Sequence, residues 1–263
     1  QNTSEKRAIS EQLAPHIASM EQNRTFLRVL DAGTGDGTVK SNVIKTFHKY
    51  HPYTSLLITG KEISYEDLKN TLEKMPDRFV EHPNLLVTMT NVKFAELGHI
   101  ESSNKIKGKN VKSYTLVLKD DNSFDFHAQI NKLNTFIKKN WGIEIDNKSR
   151  TSYANPCIIR IYREDHKRYI EPFIDNDYKN NNYDLIIASQ AYRAASEVRT
   201  KVNNVIAPLM RLLNKSGKLL VTHSCGGDTV EKILKVAWKD KNPFPNKAKD
   251  IIEFLKSNPV GEN

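Results

Sequence analysis

Phe26-Leu27-Arg28-Val29-Leu30-Asp31-Ala32-Gly33-Thr34-Gly35-Asp36-Gly37-Thr38-Val39 is an apolar run that ends in an acid and then carries three glycines at alternate positions. Residues Val39 to Tyr50 follow with apolar side chains at helical spacing, so the stretch reads as strand, tight turn, helix. Glycines leave the backbone of such a turn bare, either to let the chain reverse sharply or to let a ligand lie against it. A P-loop requires Gly-Lys-Ser/Thr after a longer spacer, and that sequence is absent. The dinucleotide fingerprint requires a glycine three positions after its second; Thr38 stands there. What remains is Asp31-x-Gly33-x-Gly35-x-Gly37, an acid followed by alternating glycines.

Outward from the turn the chain alternates. Residues 4–22 read as a helix with Ile9, Leu13 and Ile17 on one face, Ser4 as a cap and Pro15 as a kink. Ser55–Gly60 and Leu85–Thr90 are short buried strands, with a helix over 64–75 between them that buries Leu68, Leu72 and Met75. Tyr183–Ser189 and Leu219–His223 are a fourth and a fifth strand, separated by a helix from about Ser196 to Leu213. A further helix starts at Gly226-Gly227-Asp228, and a last one runs from Ala248 to Lys256. Strands alternating with helices predict a parallel sheet with right-handed crossovers.

From Val92 to Asn182 the alternation pauses for longer than an ordinary crossover allows. Tyr114–Lys119 and Cys157–Tyr162 are strand-like there, with Arg168–Ile174 as a hairpin partner for the second. Phe126, Ile130, Leu133, Ile137 and Trp141 fall on one helical face. The expectation is an α/β fold: a doubly wound, mostly parallel sheet with helices on both faces and an α+β insertion between strands 3 and 4. Residues 1–91 and 183–263 then form the core, and 92–182 an inserted cap or substrate subdomain.

Composition narrows the classes. The chain has 263 residues, 38% of them hydrophobic, enough for a core and against global disorder. The net charge of +9 invites a nucleic-acid partner, yet the lysines are scattered and the densest group, Lys105 to Lys112, reads as a solvated loop. Cys157 and Cys225 alone exclude a disulfide framework and a cysteine zinc site, and they fit a reducing compartment. No apolar stretch reaches membrane-spanning length and no signal-peptide pattern is present, so no membrane partner and a cytoplasmic location are the expectation. Asp120–Asp125 lacks the glycine and glutamate of a calcium loop and reads as a polar turn, and no metal site is expected.

Glu62 stands at the end of the second strand, where an acid can accept both ribose hydroxyls of an adenosine ligand. Together with the glycine turn it carries a resemblance. Val29–Gly37 resembles the first motif of the class I, Rossmann-like S-adenosylmethionine-dependent methyltransferases, and Glu62 their second. Tyr183–Tyr192 is similar to the fourth-strand motif of small-molecule members, and Leu213–Val221 to the fifth-strand entry, with Ser216 in place of its first glycine. The resemblance covers about residues 26–90 and 183–238 and leaves out the insertion.

The resemblance implies S-adenosyl-L-methionine as cofactor. Asp31, Ala32, Gly33, Thr34, Gly35 and Gly37 would hold its methionine moiety, Glu62 the ribose, and Ile63 the adenine face. Asn91 and Val92 stand where the family contacts the adenine amino group, with Asn91 in place of the usual acid. Ser189 and Gln190 would sit beside the transferable methyl group together with Tyr192. Asn/Asp-Pro-Pro-aromatic, the amino-methylating signature at the fourth strand, is absent, since Ser189-Gln190-Ala191-Tyr192 stands there. This favours an N or O atom of a small molecule or peptide as methyl acceptor. An RNA or protein methyltransferase and a non-catalytic S-adenosylmethionine-binding module are the alternatives, and a homodimer is compatible with either. Tyr192 and His223 are the candidates for a base, each with a structural alternative as pocket wall or strand-end hydrogen-bonder. The family usually closes its sheet with two further strands; residues 240–263 contain Pro243, Pro245 and a helix instead, so the expectation is either a chain truncated before those strands or a sheet completed by strands of the insertion or of another subunit.

Overall fold

Val-, Ile- and Leu-rich runs bury both faces when helices cover a sheet on its two sides, and four runs here do so. In the computed structural model, which describes residues 2–21, 24–100, 104–145, 151–174, 182–224 and 242–260 with a few positions between 226 and 237, β1 (Phe26–Asp31), β2 (Ser55–Lys61), β3 (Leu85–Thr90) and β10 (Tyr183–Ala188) are buried along almost their whole length. The intervening strands are two short hairpins, β4 (Lys105–Ile106) with β5 (Lys109–Asn110) and β7 (Ile143–Ile145) with β8 (Thr151–Tyr153), and two long strands, β6 (Lys112–Leu118) and β9 (Cys157–Arg163). β11 (Leu213–Val221) is last. The result is a mixed α/β fold around a seven-stranded, mostly parallel sheet in the order β11-β10-β1-β2-β3-β9-β6. β11, β10, β1, β2 and β3 are mutually parallel. Edge strands must discourage further pairing; β6 and β11 carry exposed polar residues, among them Lys112, Lys215 and Lys218.

Several expectations are corrected. The 64–75 helix is two helices, α3 (Tyr65–Glu73) and α4 (Met75–Glu81), which part at Lys74 with Pro76 opening the second. The face from Phe126 to Trp141 likewise divides into α5 (Ser123–Asn131) and α6 (Leu133–Asn140), and all five expected residues are buried. Arg168–Ile174 is not a strand: it forms a helical turn, α7 (Lys167–Ile170), and a 3₁₀ turn, Glu171–Phe173. β9 already has a neighbour on each side, β3 antiparallel and β6 parallel, which leaves no edge for a hairpin partner. Within residues 92–182, therefore, the two long strands extend the central sheet. They do so beyond β3, not beside β11. Local chemistry explains the choice: Thr90 Oγ1 donates to Cys157 O at 2.8 Å, and Cys157 N–H donates to Asn91 Oδ1 at 2.8 Å, so the end of β3 pins the start of β9. The helix expected at Gly226-Gly227-Asp228 lies largely outside the described residues.

The N-terminal helix α1 (Asn2–Ala18) lays Ile9, Leu13 and Ile17 on α2 (Thr38–Tyr50), against Val43, Ile44 and Phe47. His51, buried just past α2, bonds through Nε2 to Ile17 O at 2.7 Å and anchors the far end of α1. A carbonyl only accepts, so Nε2 carries the proton.

The same logic fixes His82. Its Nε2–H donates to Thr54 O at 3.0 Å, so its Nδ1 lone pair faces His48 Nδ1 at 3.3 Å. Burial, and secondarily His48, push the His82 pKa down to about 4. The unfolded chain, with an ordinary histidine near 6.5, takes up this proton first, so stability is lost as pH falls from 6.5 towards about 4. The loss approaches about 3 kcal/mol from this residue. His82→Gln, whose side chain amide can still donate to Thr54 O, is expected to flatten that part of the curve in urea denaturation between pH 7 and 4; an unchanged slope would remove His82 as its source.

Candidate functional site

β1 has β2 on one side and β10 on the other, so the chain that leaves its carboxyl end is trapped between two strand ends. Ala32 N–H donates to Ile187 O at 2.8 Å and Thr34 N–H to Lys61 O at 3.1 Å, tying the turn to both neighbours. Gly37, with φ of 77°, is the N-cap of α2. A Cβ there would lie 2.8 Å from Thr71 Cα of α3, and Thr71 Oγ1 donates to Gly35 O at 3.0 Å, so this position combines left-handed backbone with a close approach. Beside Gly35 the space is open. A cavity of about 340 Å³ occupies it, walled by Gly33–Asp36, by Ser189 and Gln190 after β10, and by Glu5, Lys6 and Ile9 of α1.

α1 closes the cavity through polar contacts on both rims. Gln190 Nε2 donates to Glu5 Oε1 at 2.7 Å, and Lys6 Nζ lies 2.8 Å from Asp36 Oδ1. Burial raises the Asp36 pKa, but the bonds from Lys6 and Thr38 outweigh it and hold the carboxyl below its usual range. Gln190 has a positive φ of 51°, and its N–H donates to Thr222 Oγ1 at 3.0 Å.

Of the sequence-expected cofactor residues, Asp31, Ala32, Gly37, Glu62, Ile63, Asn91 and Val92 are not in the cavity wall. Gly33, Thr34, Gly35, Ser189 and Gln190 line the cavity. Glu62 closes onto the turn: Oε2 accepts from Gly35 N–H at 2.8 Å, and Oε1 from Ile63 and Ser64 N–H at 2.7 and 2.8 Å. It thus couples the turn to Ser64, the N-cap of α3, whose hydroxyl accepts from Asp67 N–H. Asn91 and Val92 are placed elsewhere. The Asn91 amide is engaged at both ends by β9 and its approach, accepting from Cys157 N–H and donating to Asn155 O at 2.9 Å. Val92 is fully buried in an apolar cluster with Leu30, Ala32 and Ile158.

Tyr192 and His223 come together, although neither is in the wall of the cavity. His223 Nε2 is 2.8 Å from Asn246 O, which can only accept, so the proton is on Nε2 and the Nδ1 lone pair faces Tyr192 Oη at 3.4 Å. Asn246 is itself held by Ser196 O, to which its Nδ2 donates at 2.8 Å. Burial pushes the Tyr192 phenol up. The ammonium of fully buried Lys201 lies 5.4 Å from the Tyr192 ring centroid and donates to Ala194 O at 2.6 Å.

Lys40 was not foreseen. It lies on the buried stripe of α2 with Val43, Ile44 and Phe47, and that spacing is the signal the sequence offered. Its fully buried Nζ reaches Met89 Sδ at 3.1 Å, and a Cβ on Gly60 would occupy its place. Asp31 is equally buried, and both its carboxylate oxygens lack a hydrogen-bond partner. Burial drives the Asp31 carboxyl up to about 6 against the pull of Lys40, and drives Lys40 down to about 8 against the pull of Asp31. Glu5 and Lys6 were also missed. Their signal was a position one helical turn ahead of buried Ile9.

Among the described residues no group of three or more His, Cys, Asp or Glu is placed to hold a metal ion, and no helix is long and apolar enough to cross a membrane. No protein-family model matches the chain, and no curated protein is significantly similar to it.

Removing one member of a buried pair leaves the other charge uncompensated, whereas removing both is often nearly neutral. Lys40→Met is expected to destabilise the protein by about 1–3 kcal/mol in urea denaturation at pH 7, and Asp31→Asn combined with Lys40→Met to recover part of that loss. Additive losses in the double variant would show that the two charges do not interact.

Proposed function

We propose that this chain is an S-adenosylmethionine-dependent methyltransferase that acts on an N or O atom of a small molecule or peptide. In this reading the sheet is Rossmann-like and doubly wound, because β2 and β3 lie to one side of β1 and β10 and β11 to the other. Ligands of such sheets bind outside the carboxyl ends of the strands where the order reverses, and the cavity lies at that point, between the ends of β1 and β10. Residues 92–182 are then an insertion between the third and fourth parallel strands, with β9 and β6 enlarging the sheet on the β3 side.

The observation that carries the choice of ligand is electrostatic. A phosphate-binding turn offers its backbone N–H groups to the ligand. Here the amides of Thr34, Gly35, Gly37 and Thr38 are taken by Lys61 O, Glu62, Thr34 O and Asp36 Oδ1. Among the described residues around the cavity the carboxylates of Glu5, Asp36 and Asp67 outnumber the ammonium of Lys6, and the buried Asp31 carboxylate, whose oxygens accept no hydrogen bond, opens the turn. Such a site favours a cation over a phosphate. Its volume also falls in the range of small-ligand pockets. The residues present therefore fit a sulfonium cofactor.

When bound, that cofactor supplies an electrophilic methyl group, so the protein's part is alignment and exclusion of water. The Gly33–Asp36 turn, Ser189 and Gln190 form the seat, and α1 covers it. Glu62, at the end of β2, holds the turn through Gly35 N–H and is the residue that would take the ribose hydroxyls. Where the acceptor must lose a proton, His223 is the base: its Nδ1 is unprotonated and held in that tautomer by Asn246 O. Tyr192, with its phenol pKa raised, stays protonated and passes its proton to Nδ1 as it takes one from the acceptor.

Titration calorimetry tests the reading. Both S-adenosylmethionine and S-adenosylhomocysteine are expected to bind, and Glu62→Ala to weaken both by about ten- to a hundredfold through lost charge-assisted hydrogen bonds. His223→Ala is expected to leave binding intact and to slow transfer of a labelled methyl group. Absence of binding by either ligand to the wild-type chain would overturn the proposal.

A further inference from the structure

Among the described residues, Lys6 is the one cation in the cavity wall. Lys6 stands among Glu5, Asp36 and Asp67, and its ammonium points across the cavity from α1 to Asp36. α1 has little freedom to take it elsewhere. Ile9, Leu13 and Ile17 are buried against the core, Asn42 Nδ2 of α2 donates to Ser10 Oγ at 3.1 Å, His51 holds Ile17 O, and Gln190 holds Glu5. The turn opposite offers little to an anion, because the amides of Thr34, Gly35, Gly37 and Thr38 are already bonded within the protein. A ligand that brings a carboxylate into this cavity must therefore find its positive partner on a side chain.

We propose that Lys6 binds the carboxylate of the ligand's amino-acid end, and that α1 thereby selects a nucleoside carrying such an end over a nucleoside without one. The inference rests on the cofactor reading above and adds the residue that reads the ligand's zwitterion. An ammonium has three donors; one serves Asp36, and the others remain for a ligand oxygen in a site partly shielded from water. Glu5, the next residue on α1, supplies the opposite charge for the ligand's ammonium, so both signs come from one helical turn. No step of the methyl transfer depends on this contact. It makes Lys6 a determinant of cofactor choice, not of chemistry.

Two ligands separate the contributions: S-adenosylhomocysteine, which has the amino-acid end, and 5′-methylthioadenosine, which lacks it. The full chain and its Lys6→Met and Lys6→Arg variants would be titrated with each by calorimetry. Lys6→Met is expected to weaken S-adenosylhomocysteine by about ten- to a hundredfold, the effect of one charge-assisted contact, and to leave 5′-methylthioadenosine unchanged. Lys6→Arg, which keeps the charge, is expected to retain most of the affinity and shows that the position tolerates substitution. Equal weakening of both ligands by Lys6→Met, or of neither, would overturn the role of Lys6 while leaving the cofactor reading in place. Failure of both ligands to bind the wild-type chain would remove that reading and the inference with it.

Discussion

The carboxyl end of β1 is hemmed in by the ends of β10 and β2 and by Thr71 in the last turn of α3, and much of the site follows from that confinement. The chain must reverse there within a few residues while α2 begins. Gly37 accepts both the left-handed backbone and the contact with Thr71, and four of the turn's amides are taken, two by Lys61 O and Glu62 and two within the turn by Thr34 O and Asp36 Oδ1. A loop held in this way is rigid before any ligand arrives, which lowers the ordering cost of binding. The cavity beside it is lined by the carboxylates of Asp36, Asp67 and Glu5 with the ammonium of Lys6, where a phosphate loop would present free N–H groups.

Around the turn two charges are buried that a stability argument alone would not place there. Lys40 and Asp31 each lose hydration, and a buried pair of this kind is seldom more stable than an apolar replacement. Gly60 is bare so that the lysine can fit, and Thr34 and Met89 also crowd that position. The arrangement buries a carboxylate at the start of the glycine turn and a cation beside Gly60 and Met89. A cationic ligand in the cavity would meet the acid's field together with those of Asp36, Asp67 and Glu5. The pair is thus better explained by the electrostatics of the site than by its contribution to the fold.

Much of the core was legible because it depends on short-range patterns. The strands at 26–31, 55–61, 85–90 and 183–188 are short, mainly apolar segments, and the glycine turn is a local sequence feature, so both were located from the sequence. The direction in which the sheet grows was not. It depends on Thr90 and Asn91 bonding to a strand more than sixty residues away, and no local pattern in Cys157–Arg163 specifies which edge it joins. That pairing also explains why Asn91, placed by analogy near an adenine, is instead engaged with β9. Glu5, Lys6 and Lys40 were overlooked because charged residues on helices are read as solvated faces by default. Lys40 is marked as turned inward by its place among Val43, Ile44 and Phe47, whereas Glu5 and Lys6 stay partly open to solvent and reach the cavity only through their place one turn ahead of Ile9.

The claim that the crevice between β1 and β10 seats the cofactor is open to direct measurement by amide hydrogen exchange of the full chain with and without saturating S-adenosylhomocysteine. Added protection is expected on the segment 33–38, on the first turns of α1 around Glu5–Ile9, and on the amides after Ser189, with β6 and β9 unchanged. Protection confined to another surface, or spread evenly over the molecule, would contradict the account.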